Sequence, residues 1–124
     1  MSDNSRQKFS HEEKKKLAAI VGALDVFFGA RSSMPMQLVK SFLIAALHEG
    51  EGVTELAKRA GVTQSVMSRH LLDIGDRNRH MEEGFGWVTH QTDPMELRKH
   101  RVKLTNKGEA LAHKIIRAMQ SARE

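Results

Sequence analysis

The stretch that most restricts the fold of this chain is Thr54 to Ile74, TELAKRAGVTQSVMSRHLLDI. It reads as two short helices joined by a tight turn at Ala60-Gly61-Val62-Thr63. Thr54 is a cap candidate for the first helix, because its hydroxyl can accept one of the orphan amides of the first turn. Leu56, Ala57 and Ala60 then share one helical face, and the small Ala57 lets a second helix cross closely. Gly61 stands where the helix must stop and the chain must turn, a place where a positive φ costs glycine little. Val62 is apolar and can fill the angle between the helices. Thr63 is a second cap, and Met67, Leu71 and Ile74 form the inward stripe of the helix that it opens.

This arrangement leaves Gln64, Ser65, Ser68 and Arg69 outward in the first turns, next to Thr63. Side chains that donate and accept, with one guanidinium among them, suit a helix entering a DNA major groove N-terminus first. An ordinary helical hairpin with a polar outer face is the competing explanation. The alanine, the glycine four residues later and the apolar plug stand in register, and that favours the helix-turn-helix.

Length and composition narrow the remaining choices. A chain of 124 residues suits a single domain (1–124) with a modest core. It contains no cysteine, which excludes disulfides, thiolate metal ligands and cysteine redox chemistry. No apolar run reaches membrane-spanning length and MSDNSRQKFSHEEKKK has no signal-peptide apolar core, so a cytoplasmic location is expected. A net charge of +5 and a pI near 9.8 favour a polyanionic partner. Sparse aromatics without interleaved basic residues point to duplex rather than single-stranded nucleic acid.

In chain order, residues 1–9 read as a flexible polar arm. Ser10-His11-Glu12-Glu13 has the form of a capping box. The helix that follows (10–29) carries Leu17, Ile20, Val21, Leu24, Phe27 and Phe28 on one apolar stripe, which either seals its own core or packs on a second subunit. Lys14-Lys15-Lys16 reads as a solvated first turn. Pro35 suits the first position of a second helix reaching about His48, with Leu38, Val39, Phe42, Leu43, Ala46 and Leu47 as its core face. After Ile74 comes a polar loop, Gly75 to Gly84, containing Arg77 and Arg79. Phe85–His90 and Arg101–Thr105 alternate as paired strands should, and Asp93-Pro94 favours a turn between them. Thr105 can cap a last helix (106–122) with Ala110, Leu111, Ile115, Ile116 and Met119 as its apolar positions. The expected fold is mainly α with a small β-hairpin, in the order α-α-α-α-β-β-α: a winged helix-turn-helix.

From about Pro35 to Ile116 the sequence resembles the multiple-antibiotic-resistance regulator (MarR) family of winged-helix transcription factors. ELAKRAGVTQSVMSRHL and DPMELRKHRVKLTNKG carry the resemblance, with Asp93, Pro94, Glu96, Arg98, Val102, Leu104, Thr105 and Gly108 matching the family's wing pattern. Leu97 stands where the family usually has the first of two adjacent arginines, which leaves Arg98 and Lys99 to carry the wing tip. The 75–84 loop is longer than the usual step from reading helix to wing; it either adds contacts through Arg77 and Arg79 or only displaces the wing. One helix follows the wing, where the family commonly uses two for its dimer.

The resemblance implies a sequence-specific double-stranded DNA-binding regulator without enzymatic activity or cofactor. It implies a homodimeric repressor on a pseudo-palindromic operator, with the first and last helices contributing to dimerisation. A reading helix (about 64–74) would contact DNA through Thr63, Gln64, Ser65, Ser68 and Arg69, and a basic wing (about 90–101) through Arg98 and Lys99. Relatives also bind small aromatic effectors; Phe27, Phe28 and Phe42 could line such a pocket or serve an ordinary core. The seven histidines show no metal-ligand spacing on one helix face. The alternatives are a winged-helix adaptor or dimerisation module, and a sequence-nonspecific DNA-binding protein.

Overall fold

Three of the described helices, those opened by Ser10, Thr63 and Thr105, begin at a hydroxyl that accepts a backbone amide of the first turn. The computed structural model describes residues 8–76 and 83–121, with the side chains of residues 97–99 outside the described set. Its elements run α1 (His11–Ala30), α2 (Met36–Leu47), α3 (Val53–Ala60), α4 (Gln64–Ile74), β1 (Val88–Asp93), β2 (Glu96–Leu104) and α5 (Asn106–Ser121), the expected order. Arg77, Arg79 and most of the N-terminal arm lie outside the described residues. The chain divides into two compact units, one holding α1 and the part of α5 from His113 onward, the other Ser33–Ala112.

In the first unit, α1 opens on the expected capping box. Ser10 Oγ accepts from the Glu13 amide at 3.1 Å, and Glu13 Oε1 accepts from the Ser10 amide at 2.8 Å. Of the apolar stripe of α1 only Phe27 is buried, whereas Leu17, Ile20, Val21 and Phe28 are 49, 52, 57 and 42 % exposed. On α5, Ile115 is buried but Ile116 and Met119 remain 50 and 40 % exposed. The two helices approach closely at Gly22, where an added Cβ would stand 3.1 Å from the Ala118 carbonyl oxygen.

The second unit corrects several local expectations. Pro35 is the N-cap of α2, not its first helical residue; its backbone is extended (φ −62°, ψ 137°), and its carbonyl accepts from Leu38 and Val39. The buried face of α2 is Leu38, Val39, Ser41, Phe42 and Ala45, while Leu43 and Leu47 are 39 and 74 % exposed. Leu38, Val39 and Phe42 are buried as expected, but the face is completed by Ser41 and Ala45, three and seven residues after Leu38, rather than by Leu43 and Leu47. Thr54 does not cap α3. The cap lies two residues earlier, at Gly52, whose amide donates to Glu55 Oε1 at 3.1 Å. The glycine offers no side chain, so only the glutamate half of a capping box exists here.

A core closes around Phe42, Leu56, Met67, Leu71, Ile74, Val88 and Val102, each almost completely buried. Trp87 packs on it, edge to face with Phe42 at 5.4 Å and stacked on Phe85 at 4.4 Å. The first strand starts at Val88, later than the alternating pattern suggested. Gly86 has φ +71°, and the amides just before β1 serve the end of α4: Gly86 donates to Gly75 and Trp87 to Ile74, both at 2.7 Å. Both strands also reach further than expected, leaving Pro94 and Met95 as the turn between Asp93 and Glu96.

The chain between α2 and α3 joins the hairpin from its other side, which sequence patterning did not suggest. Gly50 donates to Val102 and Val102 donates to Glu51, each at 2.9 Å. Thr105 ties α5 to the base of the hairpin. Its hydroxyl accepts from Gly108 at 3.0 Å and donates to the Gly86 carbonyl at 2.6 Å, and its amide donates to Trp87.

Candidate nucleic-acid interface

The outward surface of α4 is set by three locks around its start. Gly61 takes the left-handed conformation (φ 73°, ψ 30°) and donates to Lys58, while Val62 donates to Ala57 at 3.0 Å; together these bonds form a Schellman motif. Lys40 reaches from α2 to donate to the Ala60 carbonyl at 2.9 Å, placing a cation where the α3 dipole is negative. Thr63 then caps α4, accepting from the Val66 amide at 3.2 Å. With Met67, Leu71 and Ile74 fully buried, the rotation of α4 about its axis is determined.

That rotation leaves Thr63, Gln64, Ser65 and Arg69 exposed and Ser68 half-buried. These expected contact residues therefore share one surface at the N-terminal part of the helix. Arg98 and Lys99 belong to β2, but their side chains lie outside the described residues. The hairpin register runs from Val88 opposite Leu104 to Thr92 opposite His100, then shifts so that Asp93 faces Glu96. Leu97, Arg98 and Lys99 fall inside that irregularity, at the end of the wing.

Sequence reasoning missed four polar links. Ser41, only 2 % exposed, places its Oγ 2.9 Å from His70 Nδ1 and so couples α2 to the reading helix. Arg59 grips Glu51 with two bonds of 2.7 Å. That pairing holds the Glu51 carboxyl below the usual carboxylate range and raises the Arg59 guanidinium. Glu49 Oε2 accepts from the Leu104 amide at 2.8 Å, fastening β2 to the end of α2. Asp93, 5 % exposed, accepts from the Met95 amide on Oδ1 at 2.8 Å and from Arg101 Nε and Nη2 on Oδ2 at 3.2 and 2.9 Å. The Asp-Pro dipeptide signalled this turn, but partners eight or more residues away along the chain follow no helical or strand period.

His90 is open to solvent by surface area, yet protein atoms crowd its ring. That crowding, followed by repulsion from His100, holds its pKa below the ordinary histidine value. Among the described residues no group of three or more His, Asp or Glu side chains could hold a metal, and no helix is long and apolar enough to cross a membrane.

A three-helix core whose last helix presents a polar face, followed by an antiparallel hairpin, defines the winged helix-turn-helix class. Solved structures of MarR-family transcription regulators share this fold. One MarR-family regulator is 19 % identical with a TM-score of 0.59 over 87 % of this chain and 62 % of its own. A MarR-like regulator from Thermotoga maritima is 22 % identical with a TM-score of 0.63 over 94 % of this chain and 79 % of its own. The transcriptional repressor CouR, bound to a 23-mer DNA duplex, is 19 % identical with a TM-score of 0.53 over 90 % of this chain and 69 % of its own. The chain thus spans less than two thirds of the first of these structures. No family model matches the sequence, and no curated protein does.

Proposed function

We propose that this chain is a MarR-like DNA-binding transcriptional regulator acting in the cytoplasm, a homodimeric repressor that reads a pseudo-palindromic operator. The observation that carries this reading is the exposed set Thr63, Gln64, Ser65 and Arg69, with Ser68 at its edge, on a helix held from behind by three fully buried side chains. Such a helix end fits the major groove, where amide and guanidinium groups distinguish base pairs. CouR, which shares the fold, is a repressor bound to duplex DNA, and this likeness supports the same partner here. The net charge of +5 supports it further.

In this reading Gln64, Ser65, Ser68 and Arg69 divide between base edges and flanking phosphates. Arg98 and Lys99 approach the minor groove, where a narrow A-tract draws cations. The exposed apolar side chains of α1 and α5 are the natural dimer face. A two-fold dimer sets its reading helices about 34–36 Å apart, one turn of B-DNA.

The test is selection of duplexes from fragmented source DNA by the full chain at physiological salt, followed by footprinting. An inverted repeat with half-sites about one turn apart is expected. Binding without preference would leave the nonspecific binder, and no binding even at low salt would leave the adaptor module.

A further inference from the structure

The hairpin turn carries the most exposed large apolar side chain among the described residues. Met95 is 92 % exposed. Scattered exposed apolar residues are ordinary, but turns favour glycine, asparagine, aspartate and serine, and this turn is held by side-chain hydrogen bonds. Its preceding residue is Pro94, with a fixed φ. The Met95 amide is bonded to the buried Asp93 carboxylate, which Arg101 holds in turn with two nitrogens. The main chain beneath Met95 is therefore set before any partner arrives. In the sequence Arg98 and Lys99 follow the turn and its one acidic neighbour Glu96 on β2, while the charge of Arg101 is met by Asp93.

A fixed apolar tip flanked by cations has a complementary partner in the duplex minor groove. The phosphates lining the groove attract the lysines and arginines, and the groove, about 6 Å wide, admits an unbranched side chain. Methionine and proline are among the residues that insert between base steps there, partly unstacking them and kinking the helix toward the major groove. We propose that the Pro94–Met95 turn is a wedge that enters the minor groove beside each reading-helix contact and opens one base step. This rests on the DNA-binding reading above and extends it. The wedge makes the protein a bender of its operator, and it selects a deformable pyrimidine–purine step under each wing at a position read by stiffness rather than by hydrogen bonds.

The experiment uses the full-length protein and duplexes that the wild type recovers from a random-sequence pool, end-labelled with a dye pair and carrying 2-aminopurine at the step beneath the wing. Wild type should shorten the end-to-end distance and raise 2-aminopurine fluorescence, and the recovered sequences should carry TA or CA/TG at that step. Met95→Ala should bind about tenfold more weakly, the loss expected when one apolar side chain is no longer buried, and should leave the duplex straight and the probe quenched. Met95→Leu should retain the bend. At so exposed a position neither substitution threatens the fold. If wild type binds but Met95→Ala bends and unstacks the duplex equally, the wedge is refuted while the DNA-binding reading stands. If wild type recovers no duplex, both fall.

Discussion

Gly108 has no side chain because the chain passes too close to spare one: a Cβ there would run into the backbone carbonyl of Trp87. That contact lets Thr105 both cap α5 and donate to Gly86. Replacing Gly108 with alanine should therefore cost about 1–3 kcal/mol, the usual range for overpacking, seen as a lower urea midpoint with an unchanged slope. Arg69 belongs to the opposite kind of position, exposed and outside the core. Arg69→Ala should leave the urea midpoint unchanged and cost about 1–3 kcal/mol in binding at the preferred duplex if it reads a base. Equal weakening on every duplex would make it a phosphate anchor instead. The helix face singled out Arg69 and the family resemblance Gly108, but only the packing separates a glycine needed for the fold from an exposed arginine.

At the scale of elements, the wing is held by its ends. Glu51 pairs with β2 at its base, and the Asp93–Arg101 link fixes its tip. Arg101→Ala removes both guanidinium bonds from the buried Asp93 carboxylate, which keeps the Met95 amide, a loss of about 1–3 kcal/mol for hydrogen bonds to a charged group. Faster amide exchange near the tip is expected, with α2–α4 unaffected. His90 is expected to make the wing sensitive to pH. Its folded pKa lies below the ordinary 6.5, so the unfolded chain takes up the proton first. The stability due to neutral His90 is complete above about pH 6.5 and declines as pH falls through that value toward the folded pKa. Urea midpoints at pH 7.5 and 5.5 should differ less in His90→Gln than in wild type; an equal difference would clear His90 of this role.

At the scale of the whole molecule, the unit containing α1 leaves Leu17, Ile20, Val21, Phe28, Ile116 and Met119 exposed, and large exposed apolar patches mark interaction sites. If this is the dimer face, wild type should sediment at twice its 14.0 kDa chain mass. Ile20→Glu should weaken association by about tenfold or more, since it removes a buried apolar side chain and substitutes a charge. Circular dichroism should be unchanged, because Ile20 is 52 % exposed within the chain. A wild type that sediments as a monomer at micromolar concentration would remove the dimer from the proposed function.

The amino-acid sequence by itself determined what depends on near neighbours. The Ser10–Glu13 box, the Gly61 turn, the Thr63 and Thr105 caps, the inward stripe of α4 and the order of the elements are all interactions within a few residues, and each stands as the pattern indicated. Tertiary structure decided what depends on distant partners. It buried Ser41 and Ala45 of α2 beside the expected Leu38, Val39 and Phe42 and left Leu43 and Leu47 exposed, because α4 and the hairpin offered that face a core. It capped α3 at Gly52, delayed β1 to Val88 because the end of α4 engaged the preceding amides, and joined Glu51 to Arg59 and Asp93 to Arg101. Local periodicity records which residues are apolar and how they recur; which apolar face wins the core is decided only when the other elements arrive to cover it.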